Sequence, residues 1–369
     1  MKKPIDKNSP AYKKHRRRKW IFTLEILVLL CLMVYAAYYV VIQKKLDSIQ
    51  IMELPVDEVV INEEVETDPV LQGETFTNIA LFGLDTRDGN LSQANSDTMI
   101  IVTINHKTKE IRMASVYRDT LLDVGGGNLR KSNSAYSMGG PRQAVEMLNT
   151  NLDLNIKDYI SVDMRALVTA IDALGGLEIT VTDEEAGYLN DYCVETTEIY
   201  NGEIYDRSND LPGGGTYLMN GIQAVAYTRI RYTAGNDFKR TERQREVIGL
   251  IAQKAKTAGI GTLNKVANEV FPMILTSYDS LSLISLGMKL LTYDIVETTG
   301  FPFTHLTSSS GSYNEVPVTL ESNVIQLHEF LFGRTDYSPS AAVLDKSYAI
   351  INATGYSDPS AASSENYGT

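Results

Sequence analysis

Thr77–Leu84 (TNIALFGL), Thr98–Asn105 (TMIIVTIN) and Glu110–Val116 (EIRMASV) decide the fold. The first is a continuous apolar run, the pattern of a strand buried on both faces. The other two are joined through His106–Lys109 (HKTK). A hairpin with Lys107 and Thr108 at its tip pairs residues whose numbers sum to 215. That register sets Asp97 opposite Arg118 at the open end. If 77–84 runs parallel to 110–116, Asp85 reaches the same edge, so Asp85, Asp97, Arg118 and Asp119 converge from three segments. Two carboxylates beside a phosphate site suit Mg²⁺, which one or two carboxylates and phosphate oxygens commonly hold. The alternative is an ordinary Asp–Arg ion pair and a loop-capping Asp.

Working outward, helix and strand patterns alternate. Pro141–Leu152 and Asp163–Leu174 read as helices, with a short strand Tyr159–Val162 between them. Gly175-Gly176 stops the second helix before strand Leu177–Val181. Asn220 caps a helix into Ala226, and long helical patterns fill 261–291. The apolar surplus there reads as core, with a slot for a lipid tail as the alternative. The expected fold is α/β, a mixed central β-sheet covered by helices on both faces in three α-β-α layers.

The stretch Tyr227–Arg245 (YTRIRYTAGNDFKRTERQR) holds Arg229, Arg231, Lys239, Arg240, Arg243 and Arg245 in a chain of net charge −12. Cations this dense need an anion among them, and the guanidinium fork grips phosphate oxygens in pairs. With Asp237 as cap, a helix runs to about Lys256, and its stripe Val247, Ile248, Ile251, Ala255 extends back to Gln244, Arg243 and Arg240. Polar residues facing inward at a helix N-terminus suit an anion cleft. If 227–231 is extended, Arg229 and Arg231 share a face. A structural salt-bridge network is the competing reading. Lys131, beyond a glycine run (Gly125–Gly127), is a further phosphate-site candidate or a surface lysine.

Residues 1–19 carry nine Lys or Arg, and 20–42 form an apolar run with one charge, Glu25. The run is long enough to span a hydrocarbon core of roughly 30 Å, and the positive-inside rule puts the N-terminus in the cytoplasm. We therefore expect a basic tail (1–19), an uncleaved membrane anchor (20–42), an acidic stalk (43–75), a domain (76–335), and a short helix with a disordered tail (336–369). Beyond residue 45 there are 23 Lys and Arg against 44 Asp and Glu. An ectodomain this acidic is no general nucleic-acid binder. Cys193 stands alone outside the anchor, so the fold rests on a packed core rather than a disulfide. The four histidines show no metal-ligand spacing.

The chain resembles the LytR–CpsA–Psr family of bacterial envelope phosphotransferases. The resemblance rests on motifs in unbroken order over roughly 76–335: Gly83–Arg87 (GLDTR), Asn95–Met99 (NSDTM), Tyr117–Thr120 (YRDT), Lys131–Tyr136 (KSNSAY), Ala173–Ile179 (ALGGLEI), Leu211–Gly214 (LPGG), Leu218–Ala224 (LMNGIQA), Tyr227–Arg231 (YTRIR) and Asp237–Gln244 (DFKRTERQ). It implies a phosphotransferase that moves a glycopolymer phosphate from a polyprenyl-pyrophosphate carrier to a peptidoglycan hydroxyl. It implies that Arg118, Arg229, Arg231, Arg240, Arg243 and Gln244 surround the pyrophosphate, that Asp85 and Asp97 serve Mg²⁺, and that a hydrophobic tunnel holds the prenyl chain. Many members have Arg at the position of Asn95, and Arg87 is the candidate to replace that contact. Asp97 is the candidate to receive the acceptor hydroxyl's proton or to orient that hydroxyl through a metal-bound water, with Arg118 beside it. The stretch 183–215 reads as a family-variable loop at the glycan end of the cleft. The competing functions are a non-catalytic lipid-phosphate binding module, a lipid pyrophosphatase, and a membrane-bound transcription regulator, for which nineteen cytoplasmic residues are too few.

Overall fold

The computed structural model describes residues 47–54, 59–86, 89–231, 236–308 and 315–358. The tail, the proposed anchor, Arg87 and residues 359–369 lie outside these. No helix among the described residues is long and apolar enough to cross a membrane.

A seven-stranded mixed sheet forms the middle layer. Its strands are β1 (Gln50–Ile51), β2 (Phe76–Asp85), β3 (Asn95–Asn105), β4 (Glu110–Val116), β5 (Asp158–Asp163), β6 (Ile274–Thr276) and β7 (Asp294–Phe301), in the order β1-β6-β5-β2-β3-β4-β7. The β3–β4 hairpin has the expected register, with Met99 opposite Val116 and Asn105 opposite Glu110. β2 is antiparallel to β3 and so parallel to β4, which carries the end of β2 to the open edge of the hairpin.

Alternation along the strands feeds two cores. Ala80, Phe82, Leu84, Met99, Ile101 and Ala114 face one way, against α1 (Ser134–Leu152), α8 (Leu320–Phe332) and α9 (Ala341–Thr354). Ile79, Ile100, Val102, Ile104, Ile111 and Met113 face the other, against Ile248 of α5 (Asn236–Thr257) and Leu286 and Leu290 of α7 (Ser280–Leu290). Burying each large side chain contributes ~1.5–3 kcal/mol. A third core joins α2 (Met164–Ala173), α3 (Asp183–Asn201), α4 (Gly221–Arg229) and Val247, Leu250 and Ile251 of α5, with Cys193 inside it. The Cys193 thiol, free and buried, is pushed up to about 12 by burial, so it is inert at neutral pH. α6 (Ile260–Val270) lies between α5 and β6 in sequence.

Several elements depart from the sequence expectations. The stretch read as a stalk is largely folded: β1 pairs with β6, and Leu54, Val59, Val65 and Leu71 are buried in the first core. Glu63, Glu64 and Glu66 stay exposed while the spaced apolar residues pack, and Asp68 is paired with Arg334. α1 begins at Ser134 because the first turns and the expected helix are joined across a kink at Gly139-Gly140. Gly140 has φ 68°, and a Cβ there would come within 3.1 Å of the Ser92 carbonyl. The pattern 261–291 is interrupted by β6, whose apolar ILT run looks helical by composition. Residues 183–201 of the expected loop are helix α3, opened by a Thr182–Glu185 capping box. The short C-terminal helix is α9, capped by Ser340 and ended by Gly355.

Candidate functional site

The C-terminal edge of β2, the start of β3, the end of α4 and the first turns of α5 enclose a cavity of about 260 Å³. It is lined by Asp85, Asp97, Arg229, Arg231, Arg240 and Gln244, together with Met164, Tyr192, Glu195, Tyr200 and Thr228. Asp97 is its electrostatic hub. Arg118 Nη1 donates to both its carboxylate oxygens, at 3.2 and 3.1 Å, Arg231 Nη2 lies 3.6 Å from one of them, and Arg240 donates to its backbone carbonyl at 3.4 Å. Arg240 is almost wholly buried. The backbone of Asp85 pairs with Asn95 at the end of β2, and its side chain forms no hydrogen bond or ion pair with another described residue.

Arg229 and Arg231 reach the cavity by a different route from the one expected. Tyr227 and Arg229 belong to the last turn of α4, and the chain leaves the helix at Ile230, so the segment is not an extended strand. Arg229 donates to Thr196 Oγ1 at 2.8 Å, pairs with Glu195 at 3.0 Å, and lies over the Tyr192 ring.

Three candidates stand outside the cavity wall: Arg118, which reaches the site through Asp97, and Arg243 and Lys131. Arg243 does not line the cavity. Its guanidinium is held by Glu185 at 2.8 and 3.1 Å and donates to the Ile230 carbonyl at 3.1 Å, fixing the bend between Arg229 and Arg231. Burial opposes ionisation of Glu185, but the Thr182 N–H and Arg243 outweigh it and hold that carboxyl below its ordinary range. Lys131 pairs with Asp119 at 2.7 Å and is absent from the cavity wall. The KSNSAY motif acts as a brace. Ser132 Oγ donates to the Tyr117 and Arg118 carbonyls, and the Tyr136 hydroxyl bonds the Leu91 carbonyl and Ser161, both at 2.8 Å. It thereby fixes Arg118 and the turn that leads into β3.

Tyr192, Glu195 and Tyr200 on α3, and Met164 and Thr228, were not legible as site residues. Burial pushes the Tyr200 hydroxyl up to about 12, so it stays a proton donor at neutral pH.

The donor set fits magnesium in one form. Asp85 and Asp97 face a common cavity, the one or two carboxylates with which Mg²⁺ is commonly held beside substrate phosphate. Among the described residues no cluster of three His, Cys, Asp or Glu could hold a metal by protein groups alone.

A second cavity of about 220 Å³ adjoins the first. Its walls are apolar (Leu81, Phe82, Ile100, Ile160, Val162, Leu167, Ile248), and it shares Met164, Thr228 and Gln244 with the polar one. Gly83 lines it too, and a Cβ there would come within 2.9 Å of the Thr98 side chain. The site is thus amphiphilic, an arginine-rich head joined to an apolar slot.

Comparison with known proteins places this geometry. The chain is 34% identical over 196 residues to polyisoprenyl-teichoic acid–peptidoglycan teichoic acid transferase TagU of Enterococcus faecalis, covering 52% of this chain and 56% of that protein. It is 30% identical over 272 residues to the transferase of that name from Oceanobacillus iheyensis, covering 71% of this chain and 77% of that one. With the E. faecalis protein, the match spans about half of the relative's length. TagT structures share the fold. One bound to LI-WTA has a TM-score of 0.57 and 22% identity, over 76% of this chain and 98% of that one. One with bound octaprenyl pyrophosphate lipid has a TM-score of 0.54, at 22% identity over 76% and 99%. The LytR_cpsA_psr family matches residues 38–326, well over half of the sequence, and the chain belongs to that family.

Proposed function

We propose that this chain transfers a glycopolymer phosphate from a polyprenyl-pyrophosphate carrier to a peptidoglycan hydroxyl. We further propose that it does so outside the cell, held by residues 20–42 as a single membrane span with the N-terminus inside. The observation that carries the reading is the junction of the two cavities at Met164, Thr228 and Gln244. A ligand with a doubly charged head and a long apolar tail matches that shape. TagU's name and the lipid bound in TagT support the same substrate class.

In this reading the acceptor oxygen attacks the phosphorus that bears the sugar. The bridging P–O–P bond breaks, and polyprenyl phosphate leaves with the bond's electron pair. Arg229, Arg231 and Arg240 neutralise charge on the phosphate oxygens, which is the main catalytic demand of phosphoryl transfer. Arg118 holds Asp97, and Asp97 takes the hydroxyl's proton, since Arg118 occupies one lone pair on each of its oxygens. Asp85 and Asp97 are the residues that would hold Mg²⁺, which supplies further charge neutralisation at the phosphates. Gln244 and Thr228 position the head where the tail begins.

The test is release of polyprenyl phosphate from a carrier-linked glycopolymer, with peptidoglycan as acceptor, with and without chelator. Glycopolymer joined to peptidoglycan supports transfer. Release with no joined product indicates a lipid pyrophosphatase, and tight binding with no release indicates a binding module.

A further inference from the structure

Helix α7 is apolar on two opposite faces. Leu286 and Leu290 pack on the sheet core and Leu283 beside them is buried, while Leu281, Ile284 and Met288 lie on the opposite side at 65, 37 and 56% exposure. Spacings of three and four put the latter three in one narrow arc. Serines and Lys289 separate the two apolar faces, and only one of those faces has a core against it. The sequence of α7 (SLSLISLGMKL) contains no acidic residue, and its one charge is Lys289.

The surroundings fit the same medium. β1 pairs with β6, and α7 starts four residues after β6 ends. Ile51 and Met52 at that chain entry are also exposed, at 44 and 40%. The apolar run 20–42 ends seven residues before β1, a tether that extends at most about 25 Å. The membrane is therefore within reach of this end of the domain. α7 and Ile248, which lines the apolar slot, pack in the same core on the same sheet face.

We propose that the outer face of α7 (Leu281, Ile284, Met288) docks on the bilayer surface, with Lys289 reaching to anionic headgroups. The tail of a membrane-borne carrier then enters the apolar slot on the side that touches lipid. This rests on reading residues 20–42 as a membrane anchor.

The test uses the full chain in nanodiscs of phosphatidylcholine and phosphatidylglycerol, with Cys31→Ser and a spin label at Met288→Cys. A control label sits at Tyr348→Cys on α9, in the opposite helical layer and 64% exposed. The Met288 label should be relaxed more by oxygen than by a nickel chelate, and the Tyr348 label more by the chelate. In parallel, Leu281→Ser/Ile284→Ser/Met288→Ser should lose about tenfold or more in turnover of a long-chain carrier in vesicles. The same variant should keep its turnover of a water-soluble short-prenyl carrier. If the chain floats with vesicles but the Met288 label is aqueous, α7 docking is wrong and the anchor stands. Protection of the Met288 label that grows with protein concentration and is independent of lipid would mean a second copy covers α7, which also overturns the proposal. Failure to float removes the anchor reading and α7 docking with it.

Discussion

Asp97 and Arg118 meet across the open end of the β3–β4 hairpin, with Arg118 Nη1 3.1 Å from the nearer carboxylate oxygen. Pairing register alone brings the two together. Arg231, which lines the cavity, stands 3.6 Å from the same carboxylate, so one anion orders a cation of the cavity wall and a second, Arg118, behind it. Asp97→Ala should reduce transfer on the order of 10²-fold, by analogy with lost electrostatic groups elsewhere. Affinity for the lipid pyrophosphate should fall far less, because the freed arginines still bind phosphate. Full transfer by a folded Asp97→Ala protein would reduce the pair to a structural ion bridge.

In the proposed reaction Arg231 touches phosphate both before and during transfer, so Arg231→Ala should weaken both binding and turnover. Arg231→Lys should not restore either, since an ammonium cannot reproduce the two-pronged contact. Titration with octaprenyl pyrophosphate, alongside turnover, checks both.

Glu195 occupies Arg229 at 3.0 Å while half exposed, so a phosphate must compete with it. Glu195→Gln should tighten inorganic pyrophosphate binding about two- to fivefold, the range of an exposed ion pair. An unchanged or weaker affinity, measured calorimetrically, would mean that Arg229 is not a phosphate ligand.

Arg243 is buried and pairs with the partly buried Glu185, which keeps Thr182 as its other partner. Arg243→Met should therefore cost about 1.5–3 kcal/mol of stability, the range of a hydrogen bond to a charged group, and Arg243→Met/Glu185→Gln distinctly less. Denaturant unfolding separates this from the phosphate-contact role that the sequence suggested. A variant of wild-type stability with lost lipid affinity would restore that role.

His328 is buried, stacked on Tyr337 at 3.6 Å, and its Nε2 lies 3.0 Å from the Leu152 carbonyl. Burial lowers its pKa from 6.5 to about 4. The unfolded chain then binds the proton more tightly than the folded one between those values. The stabilisation is whole above pH 6.5 and is lost as pH falls toward 4, on the order of 3 kcal/mol. His328→Gln should be less stable at pH 7 but show a flatter decline over that window.

The sequence carried the sheet well where pattern and register coincide. The 215 register of β3–β4, the run 77–84 and the Asn220 cap are all local signals, and each appears in the structure. What local signals could not carry was partnership. Arg243 and Lys131 read as phosphate ligands because a cation's spacing does not say which carboxylate it meets, and Glu185 and Asp119 come from other segments. β6 was hidden because ILT is apolar in either conformation, and its pairing with β5 and β1 is long-range. The stretch 183–215 was placed at the glycan end of the cleft as a whole, but nothing in its spacing marked Tyr192, Glu195 and Tyr200 as the residues of the cavity wall.

The two residues of β1 have an effect out of proportion to their length. They occupy the outer edge of β6, so that strand's free backbone groups are turned to a short, chain-tethered cover. Cutting the protein after Met52 would uncover that edge and offer it to a strand of another molecule. Such a truncated form should keep its cavity yet self-associate through edge-to-edge pairing. The stretch leading to the N-terminal run would thus also serve as a guard against aggregation.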